Sequence, residues 1–186
     1  MECDSKTLKK INQKRDKNST KGDFGKILII GGSQDYIGAP DLACNAALAI
    51  LRTGSDWVTV AAPEKVAWSI NCLSPDIITK KIDCKFFTSK NTSEIIEFSN
   101  RFDTILIGPG LGDKKETLLF CNQVLTQIKQ PKIIDADAIK SVQIQNISNS
   151  IITANKRELS ILIDNSNLDI SFKSLFLSFK SPQNIL

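Results

Sequence analysis

What most constrains the fold of this chain is a repeated change of period. From Lys26 to Leu159, short β-branched runs alternate with stretches of helical spacing, and most runs stop in a loop rich in glycine or charge. "KILIIGG" (26–32) is a continuous apolar run of the kind buried on both faces of a sheet. Residues 39–53, APDLACNAALAILRT, are apolar almost all round the helical period, which predicts a deeply buried helix ended by Gly54. The theme recurs. Strands are predicted at "WVTVAAP" (57–63) and "DIITKKI" (76–82), and strands that run out into a glycine or polar loop at "FDTILIGPGLG" (102–112), "PKIIDADA" (131–138) and "SIITANKREL" (150–159). Helices are predicted at 64–75, at 93–101 with Ser93 as N-cap, and at 115–128. Such alternation predicts an α/β fold: a parallel sheet with right-handed crossovers and helices on both faces. Ligands of these sheets sit beyond the carboxyl ends of the strands. That singles out four loops: GGSQDYIGAP, GPGLG, DADA and TANKRE.

At 186 residues and 41% hydrophobic content the chain has enough material for one domain with a proper core. No run of about 18 apolar residues is present, so no membrane partner is expected. The polar N-terminus has no apolar segment of a secretory signal. Residues 1–21 carry seven Lys/Arg against three acids, and the rest carries seventeen of each, so the net charge of +4 belongs to the arm. We expect residues 1–20 to form a solvated basic arm and nucleic acid not to be a partner. Five scattered cysteines, with no C-x-x-C and no histidine, argue for reduced thiols in a cytoplasmic protein and against zinc.

The first loop fails the G-x-G-x-x-G spacing of a dinucleotide turn and is no P-loop. Gly31, Gly32 and Ser33 after a strand, with Gly38 and Ala39 opening a helix, suit either an anion or a tight turn without a ligand. In the second loop Gly108, Gly110 and Gly112 alternate around Pro109, which predicts a shaped, side-chain-free shelf. Asp135 and Asp137 follow a strand one residue apart; hydroxyl binding, water-mediated metal contact and capping are all open for them. Asn155 and Glu158 share a face at the start of a helix, with Thr153 as support. Such a pair orders the water shell of Mg²⁺ beside a phosphate, or simply caps the helix.

Together, "KGDFGKILIIGGSQDYIGAPDLACNAALAILRTGSDWVTVAAPE", "GPGLG", "DADAI" and "ITANKREL" in this order resemble the NAD(P)H-hydrate dehydratase family, of the archaeal and bacterial type, over about residues 21–162. The resemblance implies a ribokinase-like fold and a lyase reaction that restores NADH or NADPH from the hydrated cofactor. ADP, or else ATP, would be the co-substrate, with Mg²⁺: the ring hydroxyl is phosphorylated and then leaves as phosphate. It further implies that Ala39 and the Tyr36 loop line the hydrated cofactor, while Gly110 and the segment Asn155 to Glu158 hold it and the Mg-phosphate region. Gly32, Gly108, Gly112, Asp135 and Asp137 are secondary candidates around the same cleft, and a homo-oligomer is left open.

The sequence departs from the family in one respect above all. Members carry a later G-x-G-D loop, whose glycines form an anion hole and whose Asp is the base; here no glycine follows Gly112. No catalytic residue is therefore assigned, and residues 21–186 are expected to be a partial domain with its C-terminal part missing. An exposed sheet edge and apolar faces bearing Phe172, Leu175, Phe176 and Phe179 would result. Asn155 and Ala154 stand where many members have His and Pro. Two other readings compete: a non-catalytic nucleotide-binding remnant or partner subunit, and another ribokinase-like kinase, against which "GGSxxYxGAP" argues.

Overall fold

The computed structural model describes residues 17–20, 22–53 and 55–168, with only the backbone for 48–53. Gly54, most of the basic arm, and Phe172, Leu175, Phe176 and Phe179 lie outside the described residues. Six strands form one sheet: β1 (Lys26–Ile30), β2 (Trp57–Pro63), β3 (Ile78–Ile82), β4 (Thr104–Ile107), β5 (Lys132–Asp135) and β6 (Ser150–Thr153). Every pairing is parallel, in the order β3-β2-β1-β4-β5-β6. The helices are α1 (Gly38–Thr53), α2 (Glu64–Leu73), α3 (Thr92–Ser99), α4 (Lys115–Gln127) and α5 (Lys156–Asn165).

Strand alternation sorts the core into two layers. Leu28 and Ile30 of β1 pack with Ile95 of α3, Phe120 and Val124 of α4, and Leu162 of α5. Ile29 points the other way, onto Cys44 and Ala47 of α1 and Val66, Ala67 and Ile70 of α2. Leu28, Ile29 and Ile30 are all fully buried, each worth about 1.5–3 kcal/mol of apolar transfer. This is why the run reads as continuous rather than alternating: both faces of the strand are covered.

The order of strands fixes where a ligand can sit. The chain winds outward from β1 through β2 to β3, then returns to the far side of β1 for β4 and winds outward again through β5 to β6. Helices α1 and α2 lie on one face, and α3, α4 and α5 on the other. The reversal between β1 and β4 opens a crevice beyond their carboxyl ends, the switch point where doubly wound sheets bind ligands.

Two local expectations need correction. Over residues 38–47 helix α1 is not deeply buried: Pro40, Cys44 and Ala47 face inward, whereas Leu42 is 72% exposed. A helix over one face of a sheet has only one stripe to cover, and no described element covers its outer side. Ser93 is not the cap of α3, because the helix continues from the 3-10 turn Ser89–Asn91, where Thr88 and Asn91 cap each other reciprocally. As expected, the run "PKIIDADA" is a strand that gives way to a loop: it leaves the sheet at Asp135 and continues as a 3-10 turn, Ala136–Ser141. Cys44, Cys72, Cys84 and Cys121 are free thiols. Burial pushes Cys44 and Cys121 up to about 12 and Cys84 to about 11, so these three stay protonated and unreactive near neutral pH.

Candidate functional site

The four loops are laced to one another along the carboxyl edge of the sheet. Gly32 N–H donates to the Pro109 carbonyl at 2.9 Å, which joins the loops after β1 and β4. Gly112 N–H donates to Asp137 Oδ2 at 2.8 Å, joining the loops after β4 and β5. Thr153 Oγ1 donates to Asp135 Oδ1 at 2.7 Å, at the ends of β5 and β6. The result is a ledge three strand spacings wide, about 14 Å from β1 to β6.

The glycines are what let these loops come so close. A Cβ on Gly31 would lie 2.5 Å from the Pro109 carbonyl oxygen, and one on Gly32 2.8 Å from Val66 Cγ1. At Gly108, with φ +135°, it would overlap the Asp135 carbonyl. At Gly110, with φ +69°, it would sit 3.0 Å from the Tyr36 carbonyl oxygen. The GPGLG segment is thus filled largely by neighbouring protein. Gly38 differs: a Cβ there would meet nothing within 4 Å, so the first turn of α1 presents bare backbone beside exposed Ala39. Tyr36, 55% exposed, stands over Gly110.

Neither aspartate is merely solvated. Asp135 accepts from Thr153, and Asp137 takes both the Gly112 N–H and the Lys140 ammonium, the latter at 2.8 Å. Hydrogen bonding to Asp137 holds the Lys140 ammonium above the ordinary lysine range, against the opposing effect of its partial burial. Asp113 adds a longer ion pair to Lys140 at 3.7 Å. Between the two aspartates, Ala136 has φ +48°, a left-handed conformation that costs a non-glycine residue about 1 kcal/mol or more. Sequence reasoning missed both Lys140 and this strain. The signal for Lys140 was present, since Asp137 and Lys140 are three apart in a helical turn. The Ala136 conformation leaves no such trace.

At the far end, Asn155 and Glu158 form a reciprocal capping box. Asn155 Oδ1 accepts from the N–H groups of Arg157 and Glu158, and Glu158 Oε2 accepts from the Asn155 N–H at 2.9 Å. Each thus holds the other in place. Glu158 Oε1 makes no hydrogen bond among the described residues, and no group of three or more His, Cys, Asp or Glu that could hold a metal occurs among them. A hydrated Mg²⁺ takes one or two carboxylates and keeps its waters, so a single free oxygen beside a phosphate fits its chemistry.

Ser33 is the one buried side-chain polar atom without a partner among the described residues: the residue is 4% exposed and its Oγ accepts and donates nothing. It lies against Gly112, whose Cβ would be 3.9 Å away. A cavity of about 720 Å³ adjoins the ledge at its β1 end, between the first loop and the starts of the segments after β2 and β3.

A family model described as NAD(P)H-hydrate dehydratase matches residues 27–174. The bifunctional NAD(P)H-hydrate repair enzyme Nnr of Methanocaldococcus jannaschii is 37% identical over 86% of this chain and 32% of its own length. The ATP-dependent (S)-NAD(P)H-hydrate dehydratase of Batrachochytrium dendrobatidis is 30% identical over 81% of this chain and 53% of its own. A ribokinase-like superfamily protein of Enterococcus faecalis superposes with a TM-score of 0.67 at 25% identity, covering 81% of this chain and 52% of that one. The chain thus spans about a third of the length of the first relative and about half that of the second. The family match runs from β1 past α5 and takes in all four laced loops; the ribokinase-like sheet found here is the sheet of the NAD(P)H-hydrate dehydratase family, and this chain belongs to that family.

Proposed function

We propose that residues 21–168 hold hydrated NADH or NADPH for a nucleotide-dependent dehydration that restores the reduced cofactor. The observation that carries the reading is the switch point. The loops after β1 and β4 meet there, and at Gly38 and Ala39 the backbone is open to a ligand rather than filled by protein. The hydrated nicotinamide ring lies against Ala39, Tyr36 and Gly110. The nucleotide approaches from the side of Asn155 and Glu158, so that its terminal phosphate meets the ring hydroxyl between the two ends of the ledge. Asp137 and Asp135 position the loops and do not touch substrate. Glu158 Oε1 would hold the water shell of a phosphate-bound Mg²⁺, which supplies charge neutralisation.

ADP is the phosphoryl donor we favour, on the likeness of the quoted motifs to the archaeal and bacterial members of the family. The substrate hydroxyl attacks the terminal phosphorus, and AMP leaves. The new C–O–phosphate bond then breaks as a proton is lost from the neighbouring carbon, giving the ring double bond and inorganic phosphate. A base for that hydroxyl and an anion hole for the phosphoryl group are supplied from outside residues 1–186, by residues of the same or another polypeptide. The glycine-free sequence after Gly112 supports this reading.

The test is an assay of residues 1–186 with hydrated NADH, Mg²⁺ and ADP or ATP. We expect binding of hydrated NADH without measurable turnover. Electrostatic groups of an anion hole contribute about 10²–10³ each, and a general base about 10²–10⁴. Adding the C-terminal fragment of the archaeal relative should restore turnover. Failure to bind hydrated NADH at all would overturn the reading; turnover without any addition would overturn its second half.

A further inference from the structure

The cavity beside the first loop has a composition suited to one end of a dinucleotide. Three strand ends wall it: Ile37 comes from the loop after β1, Glu64, Lys65 and Val66 from the segment after β2, and Asp83 and Lys85 from that after β3. Ile37, 38% exposed, gives an apolar surface for a planar base. Glu64 and Asp83 are carboxylates, which accept from sugar hydroxyls. The Lys65 and Lys85 ammoniums make no ion pair among the described residues, although two carboxylates share the cavity with them. Aromatic or aliphatic walls with a few converging polar groups, in a volume of several hundred Å³, are what small-molecule sites present.

Two contacts fix these walls before any ligand arrives. Gln34 N–H donates to the Lys85 carbonyl at 3.0 Å, tying the segment after β3 to the first loop. Val66 sits so near the left-handed Gly32 that any side chain there would strike it. Ile37 lines the cavity and Gly38 follows it directly in the chain, so the cavity and the open backbone adjoin along the first loop. One extended ligand can therefore cross from one to the other.

We infer that this cavity receives the adenosine-phosphate end of the dinucleotide, with Lys65 and Lys85 on its phosphates and Ile37 against the purine. The inference rests on the proposed function, which places the nicotinamide end at Gly38–Ala39. It makes Lys65 and Lys85 specificity determinants for the adenine half, and their field on phosphate weakens with added salt.

The experiment is equilibrium binding to residues 1–186 and to K65E, K85E and the double variant. The probes are hydrated NADPH, hydrated NADH, 2′-phospho-ADP-ribose and hydrated nicotinamide mononucleotide. Both lysines are exposed, so the fold is retained, which circular dichroism checks. For the double variant we expect hydrated NADPH and 2′-phospho-ADP-ribose to bind about tenfold more weakly at low salt, with the mononucleotide unchanged. A loss confined to NADPH places the ammoniums on the 2′-phosphate, and an equal loss for NADH places them on the pyrophosphate; either supports the inference. Unchanged binding of hydrated NADPH would overturn it while leaving the proposed function standing. Lysine-sensitive binding of 2′-phospho-ADP-ribose without binding of either hydrated cofactor would support the cavity and overturn the function. No binding of any probe would overturn both.

Discussion

The two ends of the ledge look alike in the sequence and are built on different physics. At the β1–β4 end, glycines dominate, and nearly all of them are used up by protein: Gly31, Gly32, Gly108 and Gly110 each admit a neighbouring loop. At the β6 end, polar residues dominate, and Asn155 and Glu158 are held by capping each other's backbone. The first end is rigid because backbones interlock without side chains between them. The second is a helix start on an edge strand, with Ile151 of β6 exposed. A bare loop is thus no proof of a ligand, nor is a polar pair after a strand. What marks the proposed site is the position at the switch point, plus Gly38, the one glycine among the described residues whose added Cβ would meet no protein atom within 4 Å.

Substitutions can break this comparison. Gly108→Ala should do the most damage, since its Cβ would overlap the Asp135 carbonyl at a φ of +135°. We expect a loss of about 4 kcal/mol or failure to fold, read by urea denaturation or soluble yield. A well-folded Gly108→Ala would mean that the loops after β4 and β5 do not interlock.

Asp137→Ala comes next. It strips the Gly112 N–H and the Lys140 ammonium of their acceptor, for a loss of about 2 kcal/mol near neutral pH. Because folding raises the Lys140 value, the ion-pair share is fully present below the ordinary lysine value of 10.5 and fades as pH rises through the raised one. From neutral pH upward, the gap between wild type and variant, followed by denaturation at several pH values, should hold until that alkaline range and narrow there. A gap that closes below pH 9 would remove Lys140 from the account.

At the other end of the ledge, Asn155→Ala removes one cap and should cost about 1 kcal/mol, restored for the most part by Asn155→Ser or Asp. Equal losses for Asn155→Asp and Asn155→Ala would deny the capping role. Smallest in stability is Gly38→Ala, expected within about 0.5 kcal/mol of wild type, because the added methyl meets open space. Here the sharper readout is binding of hydrated NADH, which should weaken while the melting curve stays put. Unchanged binding would move the nicotinamide end away from α1.

Local pattern carried a good deal of this protein. Period and composition alone gave the strands from Lys26 to Thr153, their parallel arrangement, and helices on both faces. The reason is that burial on two sides leaves a continuous apolar run and burial on one side leaves a stripe. The quoted motifs, through their likeness to a family, gave the ribokinase-like membership. Local pattern did less well where neighbours decide: it buried α1 too deeply and capped α3 at Ser93. Only the tertiary structure decided which loops touch. The switch between β1 and β4 follows from strand order, which is set by contacts between residues tens of positions apart and leaves no mark on local spacing. The same holds for the left-handed Ala136, for the Gly112–Asp137–Lys140 lacing, and for the cavity walled by three separate strand ends. A sequence states which residues are free of side chains or carry charge; what fills the space beside them is fixed only when the sheet brings its loops to one edge.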